Sequence, residues 1–165
     1  MQREYPSSPV LAVGAVVVDR GRVLLVHRGR EPLKGEWSLP GGALELGESL
    51  AEGLKREIHE ETGLEVEPIE LIELLDRIHR QSAGPNSSED ASKDESKAHR
   101  IRYHYVIADY LCRVVGGALR AASDADEVRW VERHEWNSHS ALKLDPITVR
   151  VIELGWQRAR QMEAR

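Results

Sequence analysis

Gly42-Ala-Leu-Glu-Leu-Gly-Glu48-Ser-Leu-Ala-Glu-Gly-Leu-Lys-Arg56-Glu57-Ile-His-Glu60-Glu61-Thr-Gly63-Leu64 is the stretch from which the fold is read. Ser49 followed by Glu52 forms a Ser-x-x-Glu capping box, so helical geometry should begin at about Leu50. Gly63 suits the position after the last helical residue, where a left-handed conformation ends a helix. Between these ends, Glu57, Glu60 and Glu61 stand at i, i+3 and i+4, which stacks three carboxylates on one helical face. Like charges at that spacing each cost a few tenths of a kcal/mol, and only Arg56 lies beside them to compensate. A cation that the chain does not itself supply would resolve the repulsion, and a divalent metal is the natural one. Ala51, Leu54 and Ile58 form an apolar stripe next to the carboxylates. Docked through that stripe on a sheet, the helix would carry its carboxylates along the rim of the contact.

Carboxylates with no Cys or paired His nearby select hard ions, Mg²⁺ or Mn²⁺ rather than Zn²⁺. Mg²⁺ commonly takes one or two protein carboxylates while substrate phosphates complete its shell. That pairing points to phosphoryl chemistry, in which a metal neutralises developing charge and activates water.

The spacing of Gly42, Glu48, Arg56-Glu57-Ile58, Glu60-Glu61 and Gly63-Leu64 resembles the Nudix box without departure. Seven of its positions demand one residue type, so a chance match at a given start is on the order of 10⁻⁸ from average usage. The resemblance implies an α/β fold, the Nudix-type α/β/α sandwich with a mixed sheet between helices. It also implies a hydrolase acting on phosphoanhydride bonds. Glu57, Glu60 and Glu61 match the family's metal-binding carboxylates, and Arg56 the arginine that orients one of them. Glu48 matches the first glutamate of the box, a less direct support. The backbone carbonyl near Gly41 or Gly42 is an additional candidate ligand, because glycine permits close approach. The family places its general base on a box glutamate in some members and on a loop glutamate in others. Here the loop candidate is Glu127, within Ser123-Asp124-Ala125-Asp126-Glu127-Val128-Arg129-Trp130; a solvated acidic turn is the competing reading.

Substrate contacts lie outside the box. Arg28 and Arg30 leave the second strand and could grip a diphosphate, since guanidinium forks suit phosphate oxygens; exposed turn charges are the alternative. Trp37 could stack on a base or pack in the core. Tyr103 and Tyr105 share one face of a strand, either pocket or core. The resulting expectation is Mg²⁺-dependent cleavage of a nucleoside diphosphate linked to another group, ADP-ribose-like first. A house-cleaning nucleoside triphosphate pyrophosphohydrolase comes second, and a nucleotide-sensing module without turnover third. The proline typical of ADP-ribose hydrolases past the box would fall near His79 or Arg80 and is absent.

Composition bounds the remaining classes. The 165 residues are expected to form one domain, with 41% apolar and 31% charged residues in an ordinary soluble balance. A net charge of −5 argues against a nucleic-acid surface. The apolar run from Pro9 to Val18 is too short to span a bilayer and reads as a buried strand. The single Cys112 excludes an intrachain disulfide and suits a reducing cytoplasm. The partner is expected to be a small nucleotide, and neither nucleic acid nor membrane; a homodimer is compatible with this reading.

Strands are expected over Val10 to Asp19 and Val23 to His27, joined by the hairpin signal Asp-Arg-Gly-Arg. A short strand and tight turn should occupy residues 37–42. Further strands are expected over Glu65 to Ile78, with helix as an alternative, over Ile101 to Val115, over Ala118 to Ala122 as a return, and over Val128 to Val131. Asp145-Pro146 is a helix start, and a terminal helix should run to about Met162. Gln81 to Ala98 is nearly all Ser, Asp, Glu, Lys, Gly, Pro and Asn, with no residue bulkier than Lys, and is expected to be a mobile loop, a solvated insertion in preference to a functional lid.

Overall fold

A computed structural model describes residues 2–81, 100–121, 125–137, 142 and 144–164. Seven strands form one mixed sheet: β1 Val10–Asp19, β2 Arg22–Arg28, β3 Trp37–Ser38, β4 Gly41–Ala43, β5 Leu64–Arg80, β6 Ile101–Gly117 and β7 Ala125–Val131. The helices are α1 Leu50–Thr62, the short α2 Arg133–Asn137 and α3 Pro146–Glu163. The order β3-β2-β1-β6-β5 makes up the main path, with β4 pairing β1 and β7 pairing β2. Among the described residues only the β1–β6 pair is parallel.

β1 organises the layers because it is apolar on both faces. Val13, Ala15 and Val17 pack with Leu54 and Ile58 of α1, while Val16 packs with Val151 and Ile152 of α3. Alternation along a strand sends those sets to opposite faces, so the sheet lies between the two helices. At its end, Arg20 and Gly21 both adopt positive φ, 50° and 76°. This is the backbone of a two-residue hairpin turn, which brings Asp19 opposite Arg22.

Three expectations are corrected. Ala51 is exposed, and the buried face of α1 is Gly53, Leu54, Ile58, Glu61 and Thr62. The reason is local: the side chain of Leu44 seats on Gly53, so the first turn is covered there and not at Ala51. No return strand forms over residues 118–121, because β6 itself continues through Gly116 and Gly117 and the chain then leaves the sheet. β7 starts at Ala125, three residues earlier than expected, because it pairs with β2 as far as Arg28. The loop expected over 81–98 lies, except for Gln81, outside the described residues.

Candidate active site

The carboxylate platform is built by local capping and by glycine. Ser49 accepts from Glu52 N, the Glu52 carboxylate accepts from Ser49 N at 2.8 Å, and Gly63 ends α1 at φ 69°. The helix is thereby fixed in register with β4, which carries no side chain at Gly41 or Gly42. A Cβ at Gly42 would fall on the Glu57 carboxylate, so glycine lets that group lie against the strand. Gly41 N–H donates to Glu61 Oε2 at 2.9 Å. Gly41 has φ 149°, and a Cβ there would strike the Val13 carbonyl. The sequence reading expected these glycines to allow a close approach; what they admit here is the carboxylates of the chain's own helix.

Arg56 is the centre of the ion-pair network. Its Nε and Nη2 donate to the two oxygens of Glu48 at 2.6 and 2.9 Å, and Nη2 also reaches the Ala43 carbonyl at 3.2 Å. Its Nη1 donates to Glu57 at 2.8 Å and to Glu60 at 3.5 Å. A planar fork suits this bidentate grip. The hydrogen bond from Arg56 holds the Glu48 carboxyl well below the usual range, at about 2. Glu57 behaves differently: its side chain is only 13% exposed, and burial pushes its pKa up in spite of Arg56. Glu60 is exposed and Glu61 buried.

The donor set is all oxygen, and Glu48, Glu57 and Glu60 share a single guanidinium, which is the chemistry a hard divalent cation matches. Among the described residues no three His, Cys, Asp or Glu side chains are already gathered as metal ligands, because Glu61 is turned to Gly41 and Glu57 and Glu60 to Arg56. Two of these carboxylates, completed by water and substrate oxygens, meet the usual demand of Mg²⁺.

A cleft of about 780 Å³ opens beside this platform, lined by Gly41, Gly42, Arg56, Glu57, Glu60 and Glu61 at one end. It continues to the face of the sheet that α3 covers, where Leu75, Tyr105, Ile107 and Val151 supply its walls. Arg28, Arg30 and Trp37 all line it. Arg28 is half-buried and donates through Nε to the Pro32 carbonyl at 2.9 Å. Trp37 is half-buried too, edge-on to His27 at 5.3 Å and beneath the Arg129 guanidinium at 5.6 Å. Trp37 thus packs on the core and also borders the cleft. Glu127 is placed otherwise than expected: it lies in β7 opposite His27, exposed, and does not line the cleft. Strand pairing, which sequence alone did not reveal, holds it there.

The NUDIX domain model matches residues 8–154. The chain belongs to the NUDIX family. It is 32% identical over 124 residues to an ADP-ribose pyrophosphatase of Methanocaldococcus jannaschii, covering 75% of this chain and 62% of that protein. It is 30% identical over 133 residues to the 8-oxo-dGDP phosphatase NUDT18 of Danio rerio, covering 80% of this chain and 33% of that protein. The chain therefore spans less than two thirds of the length of both relatives. Among solved structures it resembles a MutT NUDIX hydrolase from Burkholderia pseudomallei, with a TM-score of 0.67 and 27% identity over 90% of this chain and 98% of that one. The NUDIX match spans the α1 carboxylates, Arg56 and most of the cleft walls.

Sequence reading missed three parts of the cleft. Asp109 of β6 is 94% buried, being 6% exposed, and lines the cleft. Gly14 of β1 stands beside it in register, and a Cβ there would fall on Asp109 Oδ1. Arg77 of β5 donates to Asp145 at 2.7 Å and to Thr148 at 3.3 Å, tying the sheet to the start of α3. The signal for Asp109 was available: it is the lone charge in the apolar run Val106-Ile107-Ala108-Asp109-Tyr110-Leu111.

Proposed function

We propose that the chain is a Mg²⁺-dependent hydrolase, with Mn²⁺ as an alternative ion, that cleaves the pyrophosphate link of a nucleoside diphosphate joined to another group. The observation that carries this reading is the meeting of α1 carboxylates, clamped by Arg56 and seated on Gly42, with a cleft large enough for a nucleotide. Glu57, Glu60 and Glu61 would hold the cation, which when bound supplies charge neutralisation at the phosphoanhydride. The chain's own residues do the positioning. Arg56 fixes Glu57 and is itself anchored by Glu48, Gly41 N–H fixes Glu61, and Arg28, Arg30 and Trp37 border the bound substrate. Water attacks phosphorus, the bridging P–O bond breaks, and two phosphomonoesters leave. A box glutamate is the better candidate for taking the proton, since Glu127 lies off the cleft.

The likeness to the ADP-ribose pyrophosphatase of Methanocaldococcus jannaschii supports an ADP-ribose-like substrate. The likeness to the 8-oxo-dGDP phosphatase NUDT18 of Danio rerio favours a second reading, hydrolysis of a nucleoside diphosphate or triphosphate in house-cleaning. We place the protein in the cytoplasm, in keeping with a lone Cys112 that is buried in the core. Product analysis separates the substrate readings. With ADP-ribose and Mg²⁺ the expected products are AMP and ribose 5-phosphate. Release of inorganic phosphate from a nucleoside diphosphate, with ADP-ribose untouched, would favour the second reading. No turnover on any phosphoanhydride would overturn both.

A further inference from the structure

The α3-facing end of the cleft holds a buried acid that the proposed chemistry does not use. Asp109 is 6% exposed and lines the cleft; among the described residues none donates a hydrogen bond to its carboxyl, and only the charge of Arg77 acts on it favourably. Space for that carboxyl exists only because residue 14 lacks a Cβ. The groups facing it are known. Glu73 is its register neighbour on β5, Arg77 lies farther along β5 and is engaged by Asp145 and Thr148, and Arg150 of α3 is bound to Glu73 at 2.8 Å. Burying a polar group without a partner is unfavourable, so a carboxyl kept this way in a ligand-sized cleft reads as one whose partner arrives with the ligand.

Its place in the sheet says which part of the ligand. Gly41, whose N–H holds Glu61, pairs with Gly14, and Gly14 pairs with Asp109. The Asp109 carboxyl leans back over Gly14, so one strand spacing, roughly 5 Å, separates it from the Gly41 backbone. A carboxyl is a poor neighbour for phosphate, so the part of the ligand that meets Asp109 is not the diphosphate. On the same face of β6, Tyr105 and Ile107 precede Asp109, and both line the cleft with Leu75 and Val151. A flat apolar and aromatic wall that ends in one hydrogen-bonding group suits a planar heterocycle with polar edge atoms.

We propose that Asp109 is the specificity-determining residue that reads the nucleobase edge, with Gly14 keeping its place open. The inference rests on the nucleotide reading of the cleft, but its test needs no turnover. AMP, GMP, UMP and CMP share phosphate and ribose, so calorimetric affinities for the four isolate the base. The wild type should separate best from worst base by at least about ten-fold, the worth of one good hydrogen bond. Asp109→Val, which keeps a strand-forming side chain without a polar atom, should bring the four to within about three-fold. Asp109→Ala serves the same purpose should the valine variant fail to fold. An undiminished spread with all four weakened equally, or a wild type blind to the base, would overturn the proposal. Blindness to the base with metal-dependent hydrolysis intact removes only this inference. Base preference without hydrolysis removes only the enzymatic reading.

Discussion

Replacing Asp109 by Asn should make the protein more stable, and increasingly so as the pH rises. Burial pushes the Asp109 carboxyl from its ordinary 3.8 up to about 7, although Arg77 pulls the other way. The folded state therefore binds a proton that the unfolded state has already released across that window, and stability falls as pH rises through it. Below about pH 4 both states are protonated and nothing is lost; above about pH 7 the whole deficit is present. Each pH unit is worth about 1.4 kcal/mol, so the full deficit is about 4 kcal/mol. Asn cannot ionise and escapes it. For a chain of this size about 4 kcal/mol corresponds to roughly 8–16 °C in Tm. Urea unfolding of both proteins at pH 4, 5, 6, 7 and 8 measures the difference directly. The curves should run together at pH 4 and separate steadily to pH 7. A constant difference, or a wild type that gains on the variant as pH rises, would refute the buried-acid account.

Three further predictions concern the platform and the packing. Gly42→Ala puts a methyl where the Glu57 carboxylate lies; kcat/KM should drop about 10²-fold, as for other small misplacements of a reacting group, while far-ultraviolet circular dichroism stays unchanged. Arg56→Gln removes the hydrogen bonds that hold Glu48 at about 2. Carboxyl NMR should then show Glu48 titrating nearer 4.5, with metal-dependent activity reduced about 10- to 100-fold as when a supporting ligand partner is lost. Gly155→Ala would set a Cβ 2.7–2.8 Å from the Val16 side chain. Overpacking of this kind costs about 1–3 kcal/mol, visible as a lower Tm with the substrate preference unaltered.

Features fixed by neighbouring residues were legible in the sequence. Ser49, Glu52 and Gly63 bracket α1, Asp145 and Pro146 start α3, and Arg20-Gly21 makes the hairpin, because each acts through backbone groups a few positions away. The carboxylates were legible for the same reason, since helical spacing alone puts them on one face. Features that depend on which strands become neighbours were not. Gly14 and Asp109 are 95 positions apart and meet only because β1 and β6 pair in parallel. Glu127 sits in a strand only because β7 pairs with β2, where it stands opposite His27. Ala51 was assigned to the buried stripe because periodicity does not show that Leu44 covers the first turn at Gly53.

The central claim is that the α1 carboxylates hold the cation on which hydrolysis depends. It is tested most directly by titrating Mg²⁺ into an ADP-ribose hydrolysis assay with wild type and Glu57→Gln at saturating substrate. The account predicts no turnover in chelator for either protein, and a half-maximal Mg²⁺ concentration at least about ten-fold higher for the variant. Undiminished hydrolysis in chelator, or superimposable Mg²⁺ curves, would contradict it.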